Sequence, residues 1–157
     1  MKHRKAQINT IEFIIASSIS VIIIVLIVST FLFYERKINE FILYNDLSAK
    51  AFQVSDVLIK SSGAPSNWDS TNVNVIGLAS EDRVIDADKV NNFINISQQD
   101  IKDKMAMNYD FYFKLTNITG KPIASIGNPP AGIRSVVIKR YVMYENEEAI
   151  MEFGLWE

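Results

Sequence analysis

Residues 12–37 read EFIIASSISVIIIVLIVSTFLFYERK, and the fold depends on how they are read. Phe13–Tyr34 carries no charged residue. A soluble amphipathic helix would show polar positions every three or four residues, and VIIIVLIV has none. A bilayer core takes about 20 apolar residues in helical form. The β-branched residues favour a strand in water. In hydrocarbon the helix wins, because each backbone N–H and C=O must find its partner within the segment. Residues 13–34 are therefore expected to be a transmembrane helix.

The flanks orient it. Lys2, Arg4 and Lys5 precede the apolar run, whereas Glu35-Arg36-Lys37 is mixed and Glu40 follows. The positive-inside rule predicts a single-pass protein of the cell membrane, with a cytoplasmic N-terminus and the remainder outside. A cleaved secretory signal would have a core of about 7–15 residues and then a small-residue cleavage site. This core is longer and ends in Phe31-Leu32-Phe33-Tyr34.

Glu12 is the odd residue. It can begin the helix, where the dipole favours a first-turn carboxylate by about 0.3–1 kcal/mol and Asn9 or Thr10 would serve as N-cap. The wider arrangement is a basic leader, a polar step, one glutamate and then uninterrupted apolar helix. It resembles the class III signal peptide of archaeal type IV pilin-like proteins and, more distantly, bacterial type IV pilins. The resemblance covers Lys5–Tyr34. It implies that a prepilin-type peptidase removes residues 1–7 by cutting between Gln7 and Ile8, leaving the apolar stretch on the mature protein. It also implies that Glu12, then the fifth residue, meets the new N-terminal amine of a neighbouring subunit in a filament. Gln7 stands one position earlier than the family's leading glutamine, so the alternative register has Gln7 itself first. The resemblance implies self-assembly or co-assembly with other pilin-like subunits, as a structural subunit or minor pseudopilin. The alternative is a single-pass, signal-anchored protein with an extracytoplasmic binding domain that never polymerises.

The helical pattern continues past the membrane. Ile38, Phe41, Tyr44, Leu47, Ala51, Val54 and Leu58 recur every three or four residues, with Lys37, Glu40, Asp46, Lys50 and Asp56 mostly off that stripe. The first breakers are Gly63 and Pro65 in SSGAPSN. One helix from Ile11 to Lys60 would be about 75 Å long. The expected organisation is a leader (1–7), a long helix (8–60) and a head (61–157).

The head reads as a small α+β domain with an antiparallel sheet and short helices. NVNVIGLA predicts a strand. DADKVNNFIN predicts a helix capped by Asp86, and SQQDIKDKMAM one opened by Ser97 and Asp100. YDFYFKLTN alternates, with Phe111, Phe113 and Leu115 on one face. TGKPIASIGNPPAG is turn-rich. SVVIKRYVMY and AIMEFGLW predict a hairpin about Glu145-Asn146-Glu147.

Chemistry is sparse in the sequence. The 157 residues include one histidine (His3) and no cysteine, so thiolate chemistry and disulfides are excluded. A net charge of −2 offers no attraction to nucleic acid. Glu81, Asp82, Asp86 and Asp88 form an acidic cluster, but the spacing fits no EF-hand loop, and capping accounts for Asp86. No nucleophile has a histidine to activate it, and no phosphate-binding loop is present, so neither an enzyme nor a cofactor is expected. Asn95-Ile96-Ser97 and Asn117-Ile118-Thr119 match the N-glycosylation acceptor pattern. Trp68, Trp156 and the tyrosine-rich strands are expected to be core.

Overall fold

The computed structural model of the chain describes residues 2–129 and 134–157, with side chains from Thr10 onward. Its elements are α1 (Lys2–Lys60), β1 (Ala79–Glu81), β2 (Val84–Ile85), α2 (Ala87–Ile94), α3 (Gln98–Lys104), β3 (Asp110–Asn117), β4 (Pro122–Ile126), β5 (Ser135–Tyr144) and β6 (Glu147–Trp156). The chain divides into two compact units, one ending at Ile42 and the other spanning Leu43–Glu157. The class is α+β, as the sequence predicts.

The first unit is helix alone. α1 is long and apolar enough to cross a membrane, and Phe13, Ile22, Leu26 and Phe31 are all exposed along it. A helix apolar on every side has no favourable surface to offer water. Ser17 and Ser18 donate to the carbonyl of Ile14, and Ser20 to that of Ala16. Their hydroxyls are thus satisfied within the helix itself. The helix begins at Lys2, ahead of the expected start at residues 8–11, and ends at Lys60, just before Gly63 and Pro65. Gly63 has φ +80°, and a Cβ there would lie 2.5 Å from Trp68 Nε1, so the exit from the helix needs glycine.

In the second unit, Leu47, Ala51, Val54 and Leu58 of α1 are buried in one core with the strands. Ile38, Phe41 and Tyr44 stay exposed, so the apolar stripe runs further in sequence than the turns that the core covers. The sheet order is β1-β2-β5-β6-β3-β4. Phe111, Phe113 and Leu115 stand opposite Leu155, Phe153 and Met151, and Val136 and Ile138 complete the rows across β6. These residues form the sheet's share of the core. On the other face Gly154 lies beneath the Tyr112 ring, where a Cβ would come within 2.2 Å of it.

The expectation of an antiparallel sheet needs correction: β2 and β5 are parallel, and the other pairs are antiparallel. The reason is connectivity. α2, α3, β3 and β4 lie between β2 and β5 in the chain, so a crossover takes the place of a hairpin. NVNVIGLA is not a strand as a whole, since only Ala79 of it joins β1. Its main chain is spent on the end of α1, with Leu78 N–H donating to Leu58 O and Ala79 N–H to Ser61 O. Gly77 packs so tightly that a Cβ would lie 2.3 Å from Ser61 O.

The stretch read as turns contains β4, an edge strand with Pro122 at its first position, where no ladder N–H is needed. Gly120 and Gly127 flank it at φ +84° and +80°. The rest of that stretch, residues 130–133, lies outside the described residues. The hairpin about Glu145-Asn146 forms as expected. Both turn residues have positive φ (50° and 65°), the backbone form that suits the twist of two paired strands.

Candidate functional site

Helix α1 carries the residues that the sequence singles out. Glu12 is exposed and makes no hydrogen bond or ion pair among the described residues. α1 begins at Lys2 and has no acidic residue in its first turn. The first-turn reading of Glu12, with Asn9 or Thr10 as N-cap, is therefore corrected. Dipole stabilisation falls off within the first turn, so in the intact chain it does not account for this carboxylate. Gln7 and Ile8 lie within α1, and their side chains lie outside the described residues.

The two acceptor triplets differ in geometry. Asn117 closes β3, and its Oδ1 accepts from Thr119 N–H, Thr119 Oγ1 and Lys121 N–H. Its Nδ2 makes no hydrogen bond among the described residues. Asn95, the C-cap of α2, donates its Nδ2 to Asn91 O at 2.8 Å. Of the two, Asn117 offers the unengaged amide nitrogen, on an exposed turn.

The acidic cluster is dispersed. Glu81 and Asp82 sit at the β1–β2 turn, Asp86 caps α2 by accepting from Asp88 N–H and Lys89 N–H, and no metal-holding group of three acidic, histidine or cysteine residues exists among the described residues. Ser97 caps α3, its Oγ accepting from Asp100 N–H and donating to Asp100 Oδ2. Trp68 is core as expected, and its Nε1–H is shared between Ser62 O and Gly77 O. Trp156 is only half-buried, beside Tyr112, and Tyr141 is 76% exposed. The expectation of buried tyrosines fails at Tyr141 because it lies on the sheet face away from the core.

One arrangement escapes the sequence reading. Arg140 of β5 reaches back to α1, with Nη2 2.7 Å from Asp56 Oδ1 and 3.3 Å from Ser55 Oγ, and its guanidinium lies over the Phe52 ring. Lys60 holds the other oxygen of Asp56 at 2.8 Å. The Lys60 hydrogen bond, with the charge of Arg140 behind it, holds the Asp56 carboxyl below its usual range. Lys139, on the opposite face, pairs with Glu152 at 2.6 Å. The adjacent basic pair Lys139-Arg140 was the available signal, since neighbours in a strand serve opposite faces.

Among known proteins, no family model, curated protein or solved structure matches this chain.

Proposed function

We propose that the protein is a pilin-like structural subunit or minor pseudopilin of an archaeal type IV pilus-like filament, assembled through its N-terminal helix. The observation that carries this reading is Glu12, a carboxylate that has no partner among the described residues and stands just before the exposed, uncharged run Phe13–Tyr34 of α1. On an insertion scale a lone carboxylate in hydrocarbon costs about 2.5–3.5 kcal/mol. An ammonium group from a neighbouring subunit removes much of that cost. Cleavage between Gln7 and Ile8 by a prepilin-type peptidase supplies such a group, the new N-terminal amine. It also makes Glu12 the fifth residue of the mature helix.

In this reading the N-terminus faces the cytoplasm and the second unit lies outside the cell. Partners are the membrane, the peptidase and further pilin-like subunits. The internally bonded hydroxyls of Ser17, Ser18 and Ser20 favour a second reading, a plain signal anchor that never polymerises, because a solitary helix in lipid also needs them satisfied.

Two measurements separate the readings. Intact mass should fall by the leader alone, and a full-length chain would favour the plain anchor. Glu12→Gln should insert as well as the parent chain, yet subunit crosslinking should collapse. Leaving a neighbour's buried ammonium without its counter-charge costs about 3–5 kcal/mol. Unchanged crosslinking would remove the physical basis of the filament reading.

A further inference from the structure

The sheet of the second unit has one open edge beside a cluster of cations. β2 covers β5 only at Met143 and Tyr144. The Met143 N–H donates to Arg83 O, which fixes the direction of that residue's main chain toward β2. Alternate residues of a strand turn their main-chain groups to the same side, so Lys139 and Tyr141 present theirs to the position that β2 leaves empty. Neither residue's outward N–H is bonded among the described residues.

The edge opens on a cleft of about 230 Å³ lined by Asp56, Lys60, Arg83, Lys139, Arg140 and Tyr141. The lining of the cleft holds four cations and one carboxylate, with Lys139 and Arg140 on opposite faces of β5. Asp56 is committed to Lys60 and Arg140, and Lys139 is committed to Glu152. Arg83 is exposed and makes no ion pair among the described residues. Cations along an edge ordinarily keep other strands away. That guard is selective by sign, because it repels a basic segment and attracts a strand that bears carboxylates.

We propose that the β5 edge is a docking site for an extended acidic peptide segment of another protein. The segment adds beside Lys139–Tyr141 as a further strand, bonded to their main chain, with a carboxylate on Arg83. The chain's own acidic run, Glu145–Glu148, belongs to the β5–β6 hairpin and is not free to serve as the added strand. The proposal does not depend on how α1 assembles.

The test uses the full-length protein in detergent micelles and a fluorescent peptide of alternating Glu and Val. Controls are the Lys/Val peptide and a Glu/Val peptide N-methylated at alternate residues. The Glu/Val peptide should bind saturably, weaken with salt and slow amide exchange at Lys139 and Tyr141. Both controls should fail. Arg83→Glu should weaken binding about tenfold or more through the reversed charge. Arg83 stands at φ 61°, so Arg83→Asn, whose side chain tolerates that backbone, removes the charge while keeping the turn. It should weaken binding in the same direction. Absence of binding, equal binding of the Lys/Val or N-methylated peptide, or indifference to both Arg83 variants would overturn the proposal.

Discussion

Lys89 is buried among carbonyls, with no carboxylate in ion-pair reach among the described residues. Its Nζ donates to Ser62 O at 2.9 Å and Ala79 O at 3.1 Å, tying α2 to the loop after α1 and to β1. Ser62 O also accepts from Trp68, so the two side chains share the closing of one loop. Lys89→Met keeps the length and apolar stem but leaves Ala79 O without this donor. Stability should fall by about 1–3 kcal/mol, the cost of a buried polar group left unpaired, measured as the shift of the denaturant midpoint. A change within error would mean that water replaces the ammonium. This lysine was not legible in the sequence. In DADKVNNFIN the apolar Val90 and Phe93 mark the buried face, and nothing local tells that the long stem of Lys89 is drawn in beside them.

At the scale of elements, local signals were read well and non-local ones poorly. The caps Asp86 and Ser97 and the Glu145-Asn146 turn depend on neighbours in sequence, and the structure bears each of them out. The β3 alternation holds for its inward face, Phe111, Phe113 and Leu115, whereas Tyr112 and Thr116 on the other face are buried as well. The parallel β2–β5 pair, β4 and the basic cleft depend on contacts between distant segments. No periodicity announces these, which is why they were missed. The link from α1 to the start of β3 is of this non-local kind too. Tyr109 donates its hydroxyl to Asp46 Oδ2 at 2.5 Å. That hydrogen bond, with burial adding to it, pushes the Tyr109 pKa from 10.0 up to about 12. The raised value belongs to the folded state, so the contribution is complete below pH 10 and is lost as pH climbs toward 12. Stability should decline through that window, and Tyr109→Phe should remove this part of the decline. Burial also raises Tyr112 and Tyr144, so the tyrosinate absorbance of the variant should lose one late-titrating phenol and keep the others. Equal late absorbance in the parent chain and the variant would refute the assignment.

For the whole molecule, a helix long and apolar enough to cross a membrane was legible, because hydrocarbon imposes composition on every turn of a helix that crosses it. In the proposed orientation, protease added to intact cells should degrade Leu43–Glu157 and spare the membrane-embedded part of α1. Degradation only after lysis would reverse the topology. The strand order has a separate consequence, for the timing of biosynthesis. β6 joins β5 to β3 at the centre of the sheet, yet it is made after every other element. Synthesis therefore delivers α1 before the sheet, and β6 after both of the strands that it joins. While the ribosome is still reading β5, β3 lacks its main partner and the core has no floor. In the proposed orientation the second unit therefore meets the membrane before its sheet is joined, in the form a translocation channel can thread, and the sheet closes only when β6 arrives.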